Sequence, residues 1–141
     1  ESEKLYNAGK KFLSRRLFQE ARKNFEDAIN LNRGIPEYFI YYAKTIGATC
    51  NRDPQELTRA KQMVQDALSK SAPTSFAFTI LGELLLSLNQ QDDALQYFKE
   101  ALELEPNNTD AMRHLRILAS RTGKPVPASP VPKKTTTSIK K

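Results

Sequence analysis

The chain repeats itself. Shifting residues 2–35 by 73 positions onto 75–108 places Gly9 on Gly82, Leu13 on Leu86, Ser14 on Ser87, Ala21 on Ala94, Phe25 on Phe98, Ala28 on Ala101 and Leu31 on Leu104. Large apolar residues also coincide: Leu5 with Phe78, Phe12 with Leu85, Ile29 with Leu102. A middle copy fits after a gap, with Phe39, Tyr42, Ala43 and Ile46 followed by Ala60, Val64 and Ala67. Small residues recur where two helices must approach closely. Large ones recur where the space between helices must be filled. A unit this short cannot bury its apolar face alone, so its copies must stack. That constraint leaves an all-α solenoid of helical hairpins as the expected fold.

The local signals agree. Apolar residues return at helical spacing through residues 1–123, and nothing alternates with a period of two over a useful length. Seven helical segments are expected, roughly 2–15, 19–32, 36–50, 54–70, 75–88, 92–105 and 109–122. Pro36 and Pro54 suit a first helical turn, where the missing N–H is no loss. Asp53 is a natural N-cap, and Glu56 three residues on completes a capping-box pattern. Thr74 or Ser75 can cap the fifth helix, and Asn108 or Thr109 the seventh. Pro106 and Gly123 are stop signals.

Composition sets the tail apart. Residues 124–141 hold five Lys, no acid, four Pro and a Thr/Ser run over 135–138. A stretch so poor in bulky apolar residues cannot offset the entropy of ordering it, so a disordered basic tail is expected there. Without it, 17 basic residues face 16 acidic ones over 1–123, so the net charge of +6 belongs to the tail. A nearly neutral folded part argues against a nucleic-acid-binding domain, which normally carries a basic face. No apolar run approaches the ~20 residues of a membrane helix. One Cys allows neither an intrachain disulfide nor a Cys-rich zinc site. The chain has no initiator Met and no signal peptide, so it is expected to be part of a larger protein.

The recurring residues closely resemble the tetratricopeptide repeat. The third copy supplies Phe78, Leu81, Gly82, Leu85, Ala94, Phe98, Ala101 and Pro106, a full match to the family's pattern of large, small and helix-stopping positions. The first supplies Leu5, Ala8, Gly9, Phe12, Ala21, Phe25 and Ala28, with Arg33 in place of the final Pro. The second departs most. Ala43 and Ala60 are 17 apart where the pattern wants 12, and Ala72 stands in place of the final Pro. Met112, Leu115 and Ala119 begin a further repeat, but Arg116 takes its small-residue position, as in the family's terminal capping helices. The resemblance implies three repeats, about 2–35, 36–74 and 75–108, a capping helix over 109–122, and a domain spanning 1–123.

The resemblance further implies that the first helix of each hairpin lines a concave groove. Its inward positions fall on Glu3, Tyr6, Lys10 and Leu13, then on Glu37, Ile40, Tyr41, Lys44 and Ala48, then on Phe76, Thr79, Ile80, Glu83 and Leu86; the capping helix adds Arg113. The candidate partner-binding residues are Tyr6, Lys10, Ile40, Tyr41, Lys44, Phe76, Thr79, Glu83 and Arg113. An apolar and aromatic floor with both signs of charge suits an amphipathic helix or an extended peptide. One subfamily grips the C-terminal carboxylate of chaperones with Lys, Asn and Arg side chains. Those places hold Tyr6, Lys10, Tyr41, Phe76 and Ile80 here, so that clamp is absent.

Other features carry less. Lys10, Lys11, Arg15 and Arg16 at the end of the first helix complement its macrodipole, as Asp110 followed by Arg113, Arg116 and Arg121 does on the seventh. His114 stands alone and is expected to be packed or solvated rather than a metal ligand. Cys50 has no base partner in sequence, and Gly123-Lys124 lacks the upstream glycine of a phosphate loop. Pro127 to Pro130 matches PxxP, which Pro-rich tails do by composition. No catalytic constellation, metal cluster or cofactor loop is visible.

The expected function is therefore a non-enzymatic protein–protein interaction module without cofactor. The long middle repeat is similar to repeat segments appended to bacterial regulatory or J-domain proteins, and the expected parent is a larger, cytoplasmic, bacterial multidomain protein. An envelope or pilus assembly factor is the first alternative. Nucleic-acid binding through the basic tail is the second, and a salt titration with and without residues 124–141 separates it.

Overall fold

Seven α-helices run through residues 1–122, which are the residues the computed structural model describes. They are α1 (Ser2–Ser14), α2 (Phe18–Leu31), α3 (Pro36–Thr49), α4 (Pro54–Lys70), α5 (Ser75–Ser87), α6 (Gln91–Leu104) and α7 (Thr109–Thr122). The tail expected over 124–141 lies outside the described residues, and among those described there is no strand.

The caps form where the side chains allow. Asp53 accepts from the Gln55 amide at 3.0 Å and Thr74 from the Ala77 amide at 3.1 Å. At the seventh helix Asn108, rather than Thr109, takes the role, accepting from the Ala111 amide at 3.0 Å. Glu56 does not fold back to close the expected capping box; its Oε1 lies 3.9 Å from the Arg22 guanidinium on α2 instead.

Successive helices pack as α1·α2, α3·α4 and α5·α6 hairpins, and the hairpins stack through α2·α3 and α4·α5. The first helices of the hairpins also lie side by side, α1 against α3 and α3 against α5. The repeated small and large residues form this core: Ala21, Phe25 and Ala28, then Ala60, Val64 and Ala67, then Ala94, Phe98 and Ala101 are all buried. Leu31 and Leu104 recur in register but are 57% and 50% exposed, because each is the last residue of its helix. They belong to the repeat and not to the core.

Two glycines explain the closest approaches. A Cβ on Gly9 would come within 2.7 Å of the Phe25 ring, and one on Gly82 within 2.6 Å of the Phe98 ring. The missing side chain makes the socket for the ring in the first and third hairpins. Ala43 takes the equivalent place in the middle hairpin and faces no ring from α4, whose buried residues are Leu57, Ala60, Val64 and Ala67. Ala43 and Ala94 are both fully buried. Ala43→Leu or Ala94→Leu should therefore destabilise by about 1–3 kcal/mol through overpacking. Chemical denaturation checks this; two neutral variants would mean that the helices have room to separate.

The five additional residues of the middle hairpin are spread over three places. Thr49 ends α3 six residues after Ala43, whereas Ser14 ends α1 five after Gly9. The turn over 50–53 has four residues where that over 15–17 has three. The remaining three extend the start of α4, which has 17 residues. Each intra-hairpin turn holds a residue with positive φ, Arg16 at 62° and Asn89 at 64°. The longer middle turn holds two, Asn51 at 58° and Arg52 at 64°.

The capping helix covers the last hairpin. Ala111, Leu115 and Leu118 are buried, and α7 packs on α6. Asn108 ties its start to α5 by donating from Nδ2 to the Ser75 hydroxyl at 2.7 Å and to the Thr79 hydroxyl at 2.9 Å. Ser75 in turn donates to the Ala101 carbonyl at 2.8 Å, and Thr79 to the Ser75 carbonyl at 2.8 Å. The polar groups of this buried corner are thus satisfied by one another.

Candidate functional site

The face shared by α1, α3, α5 and α7 begins with an aromatic ladder. The Tyr6 ring lies 4.8 Å from Tyr38 and meets Tyr41 edge-on at 5.4 Å, and Tyr41 stacks on Phe76 at 4.5 Å. Lys10 holds its ammonium 4.7 Å from the Tyr6 ring centre and 5.7 Å from that of Tyr41. Such a cation over two rings fixes a charge on a half-buried aromatic surface. Burial raises the Tyr6 and Tyr41 phenols above their ordinary pKa, and the nearby Glu37 carboxylate adds to both rises, so both stay neutral and able to donate. The Tyr6 hydroxyl is buried, and among the described residues none meets it in hydrogen-bond geometry.

At the centre of the face three helices are joined through one carboxylate. Lys44 on α3 approaches Glu83 on α5 at 3.3 Å, and His114 on α7 approaches its other oxygen at 3.1 Å. An ionised carboxylate only accepts, so the His114 Nε2 carries the proton of that bond. The imidazole is held flat against Phe98, 4.7 Å between centres. Burial by itself would raise the Glu83 pKa. The hydrogen bond from His114 and the charge of Lys44 outweigh it and hold the carboxyl below its ordinary value of 4.5.

A group whose pKa is lower folded than unfolded stabilises the fold above the unfolded value, and that contribution disappears as pH falls through the folded value. The thermal midpoint should therefore drop on acidification from the ordinary carboxylate range downward. The Glu83→Gln variant should show a shallower drop than the parent over that window. Parallel slopes in thermal melts against pH would exclude Glu83 as a contributor.

This bridge separates two hollows. One, of about 260 Å³, is lined by Phe76, Thr79, Glu105, Asn107, Asn108 and Asp110 at the end where α5 and α7 start. The other, of about 410 Å³, opens at the end of the intra-hairpin turns, between Gly47, Arg52, Ile80, Leu84, Ile117 and Arg121. Lys44, Ile80 and Glu83 border both.

Comparison with solved structures decides the fold family. The first repeat domain of human RPAP3 superposes with a TM-score of 0.71 over 86% of this chain and 92% of its own, at 19% identity. The repeat domain of Arabidopsis OM64 superposes with a TM-score of 0.70 over 85% and 95%, at 23% identity. Residues 75–108 match the family model of the tetratricopeptide repeat. The fold is that of a tetratricopeptide repeat domain. A third similar structure, the first such repeat domain of Spaghetti (RPAP3), was solved bound to the HSP90 peptide SRMEEVD, with a TM-score of 0.70 over 86% of this chain and 93% of its own at 19% identity. No curated protein sequence matches this chain.

Within the repeat domain, the candidate residues fall into three groups. Lys10, Tyr41, Lys44, Phe76 and Glu83 are partly exposed and share the inner face. Tyr6, Ile40 and Thr79 are 7%, 5% and 4% exposed. Neighbouring helices cover them, so these three support the groove from behind instead of forming an open floor. Thr79 in particular is occupied by Asn108. Arg113 is exposed and pairs at 3.0 Å with Asp110 on its own helix. Two contributors were missed in sequence. His114, read as solitary, completes the central bridge, and Asn108, read only as a cap, also binds two hydroxyls of α5. Their partners are 29 to 33 residues away in the chain, a separation that carries no local signal.

Among the described residues no group of three or more His, Cys, Asp and Glu side chains could hold a metal, and no helix is long and apolar enough to cross a membrane.

Proposed function

We propose that residues 1–123 form a non-enzymatic interaction module that holds a peptide or helix of a partner protein along the inner face. The observation that carries this reading is the aromatic and cationic strip of Lys10, Tyr41, Phe76 and Lys44, left partly open along three successive first helices and leading into two hollows. Aromatic side chains ordered by stacking offer contact area at low entropic cost, and fixed charges orient what they contact. The peptide held by the Spaghetti repeat domain is consistent with this use of the fold. The ligand here differs from a chaperone tail, since Tyr6, Lys10, Tyr41, Phe76 and Ile80 stand where the carboxylate clamp would be.

Selection of a random peptide display library on the full chain tests the reading. It should return binders, and Lys10→Glu and Lys44→Gln should weaken them at least about tenfold, which is about 1.4 kcal/mol. Lys23→Glu and Gln96→Ala, exposed on the second helices, should leave them unchanged. Tyr41→Ala is a poorer probe, because Tyr41 also packs on Phe25 and Phe76 and its loss lowers stability. Binders sensitive only to the second pair would move the site to the convex face.

A further inference from the structure

We propose that the hollow at the turn end of the inner face receives an apolar side chain of the partner, flanked in the partner's sequence by acidic residues. The inference rests on the groove reading above and names the chemistry of what the groove selects. The hollow is about 410 Å³, room for one large side chain. Its walls are Gly47 and Ala48 of α3, Ile80 and Leu84 of α5, and Ile117 of α7. Ile117 is 41% exposed, one of four large apolar residues left so open among those described. Gly47 lets the Leu84 side chain close against α3 in this wall, since a Cβ there would stand 3.0 Å from it.

Charge sets the second requirement. Lys44, Arg52, His114 and Arg121 border the hollow, with Glu83 as its one acid. Glu83 is already shared by Lys44 and His114. Arg52 and Arg121 are exposed and have no ion pair among the described residues. They approach from separate elements, the α3–α4 turn and the end of α7. Arg52 stands there on a backbone of φ 64°, in the turn that carries one more left-handed residue than its two counterparts. The lengthened middle repeat therefore supplies one cation to the rim and the capping helix another. Guanidinium groups beside an apolar pocket complement carboxylates beside an apolar side chain. A basic segment would meet two like charges at the same rim.

The test uses the peptides selected on the full chain. The binders should share one large apolar residue with Asp or Glu within a few positions. Arg52→Glu with Arg121→Glu should weaken a synthetic binder at least about tenfold by fluorescence anisotropy, with the loss largest at low salt. A peptide with its acids changed to Lys should bind that double variant better than the parent chain. Both arginines are exposed, and a melt of the double variant verifies that it folds. Binders that respond to Lys10→Glu and Lys44→Gln but lack acids, or ignore the double reversal, would overturn this inference and leave the groove reading standing. Binders indifferent to both sets, or a library that returns none, would overturn both.

Discussion

A chain ended after Pro106 should aggregate, or unfold without a cooperative transition. The cut removes α7, and with it Ala111, Leu115 and Leu118, all buried against the last hairpin. Uncovering the surface beneath Leu115 and Leu118 costs about 1.5–3 kcal/mol for each of these side chains. The loss goes beyond apolar area. His114 leaves the face of Phe98 and the Glu83 carboxylate, and Asn108 leaves the hydroxyls of Ser75 and Thr79. A domain stable by about 5–15 kcal/mol has little margin for this sum. The exposed surface lies mainly on α6, against which α7 packs in the intact fold. Size-exclusion chromatography and calorimetry of the shortened chain decide the matter. A monomer that melts cooperatively at the parent's midpoint would deny α7 its capping role.

The second large effect is expected where Phe98 enters the socket over Gly82. Phe98→Ala should cost about 3–5 kcal/mol, because the ring is fully buried and its site cannot collapse between two close helices. Gly82→Leu should be as damaging for the opposite reason, since even a Cβ at Gly82 would lie 2.6 Å from that ring. The two changes address the same space, so they should not add. The double variant should recover part of the loss, a coupling of about 0.5–3 kcal/mol in a double-mutant cycle. Equilibrium denaturation of the four proteins measures it. Strict additivity would mean that the ring and the glycine do not share a socket. The same experiment on Gly9 and Phe25 should give a smaller effect. Gly9 is one of only two buried residues on α1, which has a neighbouring hairpin on one side only.

The predicted helices match the observed ones to within about a residue at each end, and the reason is local. Helical periodicity, Pro at a first turn and a capping Asp or Thr act over a few residues and are legible wherever they occur. The repeat extended that reach, because Gly9 with Phe25 and Gly82 with Phe98 announce one packing geometry twice. The same logic placed Lys44, Tyr41, Phe76 and Glu83 on a common face. Register tells which way a side chain points. It does not tell how deep the side chain lies or what stands opposite.

Depth and company were decided by the tertiary structure. Tyr6, Ile40 and Thr79 point inward as their positions imply, yet neighbouring helices cover them, because α1, α3 and α5 pack side by side and close over their own shared seam. Glu83 finds Lys44 39 residues before it and His114 31 residues after it. Arg52 and Arg121 meet at one hollow although one belongs to an insertion and the other to the capping helix. By itself the sequence determined the hairpins, their stacking and the face they share, because those follow from spacing within one unit and its repetition. Which charges pair, which aromatics remain open and where the hollows lie were left to the stacking of distant units, where burial and Coulomb attraction act between side chains that no local pattern connects.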